Sequence, residues 1–130
     1  YSMKKYFSKG IVSMIMCLVA LSSVDAADLK KGKKVFNKCK ACHALVENKH
    51  RIGPSLHGIY GRKAGVAPKY RFSRAMKKAG NDGLVWNDKS LAKYLTKPRS
   101  FLKGTKMAFA GIKKPGEMEN LLAFLKEATK

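Results

Sequence analysis

Cysteine is scarce in this sequence, which narrows the kinds of site that the chain can build. The 130 residues include three cysteines, and none follows Cys42. Structural zinc sites need four Cys or His ligands, usually in two closely spaced pairs. Here a second pair is missing, because His50 and His57 are too widely spaced to form one. A zinc knuckle is therefore disfavoured.

Acidic residues are also few. The sequence has 8 Asp and Glu against 28 Lys and Arg, which gives a formal net charge of +20. Such a charge attracts acidic partners. Nucleic acid is a rival partner, but the basic residues are mostly Lys, spread along the chain without a helix-turn-helix, finger or RNA-binding signature. Arg binds phosphate with two hydrogen bonds, whereas Lys acts as a point charge. We therefore expect no primary role in nucleic-acid binding.

Long apolar runs are confined to the beginning of the chain. Three lysines in residues 4–9 precede an apolar stretch over residues 11–21, and small residues lead to Ala26. This pattern is typical of a secretory signal peptide, and we predict cleavage after Ala26. The apolar stretch is shorter than the span of about 20 residues that crosses a membrane. A retained anchor remains the alternative.

The predicted organisation is thus a signal peptide, residues 1–26, and one exported, periplasmic domain, residues 27–130. The domain keeps two of the three cysteines, 25 basic and seven acidic side chains, and a net charge of +18. A domain of this size has a modest core and gains from a large apolar cofactor.

The motif that remains is Cys39-Lys40-Ala41-Cys42-His43. In an exported chain the C-x-x-C-H pattern indicates a site of c-type haem attachment. Cys39 and Cys42 would form thioethers with one covalently bound haem c, and His43 would be its proximal ligand through a neutral imidazole. A thioredoxin-like dithiol is the alternative, but that motif belongs near a βαβ pattern, and this region indicates helix and loop.

The periodicity of the apolar residues predicts an all-α domain. We expect a first helix that Asp28 caps or begins and that runs to about residue 38, with Leu29 on its apolar face. A C-terminal helix is expected over residues 115–128. Because glycine is costly inside a helix, Gly32 predicts that these two helices cross closely. Shorter helices are expected over residues 73–79 and 88–97, the second capped by Asn87 and stopped by Pro98. The long loop layer between His43 and Trp86 is explained if it wraps a cofactor.

Several further motifs make the sequence similar to class I c-type cytochromes, the family of mitochondrial cytochrome c and its soluble bacterial relatives. The resemblance covers about residues 28–129. It is carried by the C-x-x-C-H site and by Gly53-Pro54-Ser55-Leu56-His57-Gly58, Tyr60-Gly61-Arg62-Lys63, Leu84-Val85-Trp86, Gly104-Thr105-Lys106-Met107 and Phe109-Ala110-Gly111. It implies the small cytochrome c fold, in which crossing N- and C-terminal helices, loops and short helices surround one haem.

The resemblance also implies roles for individual residues. Met107 would be the second axial ligand, giving a six-coordinate, low-spin iron. The Pro54 carbonyl would accept the other ring N–H of His43. The remaining site residues are Arg62 and Trp86 beside a propionate, Tyr94 and Thr105 beneath the propionates and near the Met sulfur, and Phe109 beside the exposed haem edge. The lysines around that edge would be Lys38, Lys40, Lys106, Lys113 and Lys114.

The sequence departs from the family pattern at a few positions. Phe72 replaces a tyrosine that donates to a propionate, Met76 replaces a polar residue, and Lys103 replaces a common proline. The segment before Trp86 is longer than in mitochondrial members. These differences bear on the potential and on the rigidity of the loop around Met107.

The implied function is a soluble periplasmic electron carrier of a respiratory or photosynthetic chain, and not an enzyme. Its expected partners are acidic redox proteins: a membrane cytochrome complex, an oxidase, a peroxidase or a photosynthetic reaction centre. We expect a monomer with transient contact to a membrane surface. One alternative is a haem enzyme or gas sensor with an open sixth position, and another is a basic binding protein without haem.

Overall fold

The computed structural model describes residues 27–130, where the regular elements are five α-helices. They are α1, Leu29–Phe36; α2, Arg74–Asn81; α3, Asp88–Thr96; α4, Pro98–Phe101; and α5, Pro115–Ala128. Within these residues β-structure is limited to isolated bridges between His43 and His50 and between Lys63 and Val85. The expected all-α class is confirmed.

The N-terminal prediction concerns residues 1–26, which lie outside the described part of the chain. The signal peptide and its cleavage after Ala26 therefore stay predictions. Among the helices of residues 27–130, none combines the length and the hydrophobicity that crossing a membrane requires.

α1 begins where the sequence supplies a cap. The Asp28 carboxylate accepts hydrogen bonds from the backbone N–H groups of Lys30, at 2.9 Å, and Lys31, at 3.1 Å. These bonds satisfy two of the amides that the start of a helix leaves unpaired. The same backbone hydrogen bonds lower the pKa of Asp28.

α1 ends at Phe36, about two residues earlier than expected, because tighter turns follow it. The Cys39 N–H donates to the Phe36 carbonyl at 2.8 Å, and the Cys42 N–H donates to the Cys39 carbonyl at 3.0 Å. Such i to i−3 bonds replace the α-helical pattern. They fix the cysteines directly after the helix.

α1 and α5 cross in contact at Gly32, as the sequence predicted. A Cβ at Gly32 would lie 2.7 Å from the Cβ of Phe124 and would overlap the backbone carbonyl of Asn120. One turn later, the rings of Phe36 and Phe124 pack with their centroids 5.5 Å apart. The absent side chain therefore lets the two backbones approach.

Leu29 is exposed, so its predicted place on the buried face of α1 is wrong. Its side chain is 47% exposed, whereas Val35 and Phe36 are buried. Leu29 is the first residue of α1, one turn before Gly32. The core against α1 comes instead from α5, in which Leu121 is fully buried.

α3 has the cap that the sequence predicted. The Asn87 side chain accepts from the Ser90 N–H at 3.0 Å, and the Ser90 hydroxyl accepts from the Asn87 N–H at 2.9 Å. This reciprocal pair is a capping box. The helix ends at Thr96, and Pro98 then begins α4, a four-residue helix that the sequence analysis missed. Proline suits that first position, where its missing N–H costs nothing.

α2 is two residues longer at its end than expected and is capped by Ser73, whose hydroxyl accepts from the Met76 N–H at 3.0 Å. Its Gly80 lies against the backbone of Ala64, where a Cβ would overlap the Ala64 carbonyl oxygen. This contact holds the loop of residue 64 against the helix. Met76 is buried in the core.

Candidate cofactor-binding site

A cavity of about 510 Å³ is enclosed by residues of α2, α3, α5 and the connecting loops. This volume lies within the range of roughly 300–1,000 Å³ that is usual for ligand sites, and most of the lining is apolar. All the residues that the sequence assigned to a haem site line it: Cys39, Cys42, His43, Pro54, Arg62, Trp86, Tyr94, Thr105, Met107 and Phe109. Cys39 and Phe109, 70 positions apart in the chain, thus meet at one cavity.

Cys39 and Cys42 are free, half-buried thiols at the cavity wall. Burial raises the pKa of the Cys39 thiol to about 11. A reactive redox dithiol requires a lowered thiol pKa. The environment of Cys39 therefore opposes the thioredoxin-like alternative.

His43 is held by one ring nitrogen. Its Nδ1–H donates to the carbonyl oxygen of Pro54 at 2.7 Å, which is the bond that the resemblance implies. Because a carbonyl oxygen can only accept, Nδ1 carries the proton and Nε2 of the neutral ring keeps its lone pair. Burial lowers the pKa of His43, more than the Pro54 bond raises it. The imidazole is therefore neutral at neutral pH, the form that binds a metal.

Glycine is required next to this ring. A Cβ at Gly53 would overlap the His43 imidazole and would lie 2.7 Å from its Nδ1. The Gly53 N–H donates to the Cys42 carbonyl, also at 2.7 Å. Gly53 and Pro54 together set the position of the imidazole.

Met107 lies in the loop after α4 and lines the cavity in a half-buried position. Its backbone N–H donates to the Thr105 hydroxyl oxygen at 3.4 Å. That oxygen lies 2.6 Å from the Tyr94 hydroxyl of α3. Burial raises the pKa of Tyr94, so its hydroxyl stays protonated at neutral pH. Tyr94 and Thr105 therefore connect the backbone of Met107 to α3.

Arg62 and Trp86 bring N–H donors to the cavity. Arg62 donates to the carbonyls of His57, at 3.0 Å, and Ser55, at 3.2 Å. No carboxylate of residues 27–130 lies within ion-pair distance of its guanidinium. Trp86 is 5% exposed, and its indole packs against Tyr94 with ring centroids 5.2 Å apart. A half-buried cation without a carboxylate partner suits an anionic group of a ligand.

These residues fit a covalently bound haem. The cavity presents two thiols for attachment, an imidazole nitrogen with a lone pair, a thioether sulfur and a cation for the propionates. By contrast, residues 27–130 contain no group of three or more His, Cys, Asp or Glu side chains that could hold a metal ion. The zinc alternative therefore lacks a ligand set in this part of the chain.

Tyr70 and Ile52 are among the lining residues that were not predicted. The Tyr70 hydroxyl donates to the Ile52 carbonyl at 2.7 Å, and both residues line the cavity. The Ile52 side chain is 79% exposed. Phe72 packs edge-on against Tyr70, with the two ring centroids 4.8 Å apart. Neither position carries a sequence signal, because Ile and Tyr in a loop usually indicate ordinary packing.

The lysines assigned to the haem edge differ in what their amines do. Lys38 lies 3.6 Å from a carboxylate of α5, and Lys106 and Lys113 donate to backbone carbonyls at 3.0 and 2.7 Å. Lys40 and Lys114 are exposed and make no side-chain hydrogen bond with residues 27–130. The last two are therefore the amines of this group most available to a partner.

Comparison with known proteins identifies the family. Residues 29–129 match the sequence model of the cytochrome c family. Cytochrome c2 of Afifella marina is 51% identical over 96 residues, which cover 73% of this chain and 77% of that protein. Cytochrome c of Sesamum indicum is 42% identical over 104 residues, covering 78% of this chain and 91% of that protein.

A solved structure gives the same result. Cytochrome cH from Methylobacterium extorquens is 42% identical to this chain, with a TM-score of 0.69, and the match covers 77% of this chain and 98% of that chain. The fold, the cavity and the sequence relatives agree, and they do not favour the enzyme or haem-free alternatives. This chain belongs to the cytochrome c family, a family of electron carriers, and binds one covalently attached c-type haem.

Proposed function

We propose that this protein carries electrons in the periplasm, with Cys39 and Cys42 as thioether attachments and with His43 and Met107 as axial ligands. The observation that carries this proposal is the bond from His43 Nδ1 to Pro54, which leaves Nε2 free in the cavity that Met107 also lines. The haem supplies one-electron exchange at its iron. With both axial positions occupied by protein, no position is open for a substrate, which favours electron transfer over catalysis.

Other residues of this chain orient the site. Pro54 fixes the ring orientation and the tautomer of His43, and such a bond also raises the basicity of the ligating nitrogen. Arg62 and Trp86 offer N–H groups to the haem propionates. Phe109, which is half-buried at the cavity, would lie beside the exposed haem edge.

The periplasmic location is supported by the export pattern of residues 1–26 and by the attachment motif that follows it. Several relatives are bacterial cytochromes, among them cytochrome c2 of Agrobacterium tumefaciens, which is 50% identical over 99 residues. Cleavage after Ala26 would release residues 27–130 as a monomeric carrier.

The proposed partners are acidic redox proteins: a membrane cytochrome complex, an oxidase, a peroxidase or a photosynthetic reaction centre. A net charge of +18 on residues 27–130 supports electrostatic steering toward an acidic surface. Lys40 and Lys114 are the best candidates for direct contact, because their amines are not used within residues 27–130.

The test is the absorption spectrum of the oxidised and reduced protein together with its intact mass, after expression in a host with haem-attachment machinery. We expect a low-spin spectrum with the charge-transfer band of Met-to-iron ligation. The expected mass is that of residues 27–130 plus one haem. A colourless protein or a high-spin spectrum would contradict the proposed site, whereas retention of residues 1–26 would contradict only the cleavage.

A further inference from the structure

We propose that Lys113 is a positioning residue for Met107, because its ammonium group fastens the Met107 loop, residues 102–111, to the end of α3. This inference rests on the proposed role of Met107 as an axial ligand. Lys113 lies six residues after Met107 and outside the cavity lining, so it would act through the loop and not at the iron.

The first observation is the pair of bonds that Lys113 makes. Its Nζ donates to the carbonyl of Thr96 at 2.7 Å and to the carbonyl of Ala110 at 3.2 Å. Thr96 is the last residue of α3, and the last carbonyls of a helix have no partner within the helix. A cation is also favoured at this negative end of the helix dipole. The amine therefore joins the loop to a helix end that is suited to receive it.

The second observation is the close approach of the backbone around Lys113. The Ile112 N–H donates to the Leu95 carbonyl of α3 at 2.9 Å. At Gly111, with φ of 111°, a Cβ would overlap the carbonyl oxygen of Thr96. Three consecutive residues, 111–113, thus contact the last two residues of α3.

The third observation is that the loop has another attachment to the same helix, before Met107. The Tyr94 hydroxyl of α3 pairs with Thr105 at 2.6 Å, and Thr105 accepts from the Met107 N–H at 3.4 Å. The Met107 loop is therefore attached to the last turn of α3 on both sides of Met107. Loss of the attachment after Met107 should let the loop open while the rest of the fold stays intact.

Lys114 provides a matched control. It carries the same charge next to Lys113, is exposed, and is the N-cap residue of α5 without making a side-chain capping bond. Replacing either lysine by methionine removes one charge and keeps most of the side-chain stem. A difference between the two variants therefore reports the hydrogen bonds of Lys113.

The test titrates the ferric holoprotein with imidazole, which can bind the iron only after Met107 leaves. If the loop is open more often, the apparent affinity rises in proportion to the population of the open state. We expect Lys113→Met to bind imidazole about tenfold more tightly than the unmodified protein, equivalent to about 1.4 kcal/mol. The imidazole affinity of Lys114→Met should match that of the unmodified protein. Lys113→Arg keeps the charge and the N–H donors, so its imidazole affinity should return most of the way to that of the unmodified protein.

A second control separates positioning from overall stability. The single proton of the Tyr60 hydroxyl is shared between the Asp88 carboxylate, at 2.9 Å, and the Leu122 carbonyl, at 3.0 Å, outside the Met107 loop. Tyr60→Phe should therefore lower global stability without changing imidazole affinity. Amide hydrogen exchange over residues 105–111 should accelerate in Lys113→Met and not in Tyr60→Phe.

Met107→Ala distinguishes the failure of this inference from the failure of the proposed ligand. If Met107→Ala does not tighten imidazole binding, Met107 is not the displaced ligand and the proposed site is wrong. If Met107→Ala tightens it but Lys113→Met behaves like Lys114→Met, the ligand stands and the positioning role is overturned. Equal tightening in Lys113→Met and Tyr60→Phe would also overturn it.

Discussion

At the scale of single residues, the site depends on neighbouring residues that hold each candidate iron ligand in place. The carbonyl of Pro54 decides which nitrogen of His43 carries the proton, and Gly53 leaves room for the ring. The Thr105 hydroxyl accepts a hydrogen bond from the backbone N–H of Met107 and so helps to hold that residue. Each candidate ligand is therefore held in position by a neighbouring residue.

The cysteines give the first prediction at this scale. Because Cys39 and Cys42 line the cavity as separate free thiols, Cys39→Ala should leave the haem held by one thioether. Loss of both cysteines should give a poorly folded chain, since the core then lacks its centre. Acid–acetone extraction measures the attachment: haem should stay with the unmodified protein and leave the double variant. Extraction of haem from the unmodified protein would refute covalent attachment through these residues.

At the scale of elements, the crossing of α1 and α5 holds the two ends of residues 27–130 together. Gly32→Ala should destabilise the protein by about 1–3 kcal/mol, because its Cβ would overlap the backbone of Asn120. Helix propensity alone predicts the opposite sign, with alanine better by about 1 kcal/mol. The free energy of unfolding from urea titration of the holoprotein decides between the two.

Gly116→Ala is the matched control for this substitution. Gly116 also lies in a helix, but a Cβ there would meet no atom within 4 Å. This variant should be neutral or slightly more stable than the unmodified protein. Equal effects at Gly32 and Gly116 would mean that the close crossing does not contribute to stability.

A polar cluster joins α3 to α5 at the opposite end of α3 from Thr96. Lys126 Nζ lies 2.7 Å from the Asp88 carboxylate and 5.4 Å from the ring centroid of Tyr60. The Lys126 ammonium, followed by the Tyr60 hydroxyl, lowers the pKa of Asp88 below its ordinary value of 3.8. This stabilisation is present above the pKa of Asp88 in the unfolded chain, and it is lost as pH falls through the lower pKa of the folded state.

Lys126→Met should therefore lower the free energy of unfolding at pH 6 by up to about 1 kcal/mol, because the pair is largely exposed. The loss should be smaller at pH 2, where Asp88 is more protonated. Lys130→Met is the control, since Lys130 pairs with Glu127 at the same end of α5. Denaturant titrations at the two pH values measure both variants. A loss for Lys126→Met that does not depend on pH would refute the role of the Asp88 pair.

At the scale of the whole molecule, the sequence predicted features that depend on local chemistry or on a specific motif. The caps of Asp28 and Asn87 follow from residue type, and the crossing follows from Gly32 in an apolar stripe. Sequence reasoning failed where neighbours distant in the chain decide the outcome. Leu29 has the right spacing but is exposed, and α4 is too short to show a period.

The basic residues show the same limit. Their excess was evident from composition, but their individual roles were not. The sequence grouped Lys113 with Lys40 as surface charges, whereas Lys113 bonds to the end of α3. No local pattern indicates this bond, because its acceptor lies 17 residues earlier.

Net charge gives the prediction that belongs to this scale. The rate of electron transfer to an acidic partner should fall steeply as the Debye length shrinks from about 30 Å at 0.01 M salt to about 8 Å at 0.15 M. Lys40→Glu and Lys114→Glu should slow the reaction more than Lys130→Glu, although all three change the net charge equally. Stopped-flow kinetics would measure the rates. Equal slowing by the three variants would mean that the overall charge attracts the partner and that Lys40 and Lys114 do not form a local docking face.

The most direct test of the whole account is carbon monoxide binding to the ferrous protein, followed by its absorption spectrum. If His43 and Met107 fill both axial positions, the unmodified protein should show no change of spectrum with carbon monoxide at neutral pH. Met107→Ala should bind it readily, since this variant keeps His43 and opens the other side. Ready binding by the unmodified protein, or the same response in both, would contradict an electron carrier with a filled coordination sphere.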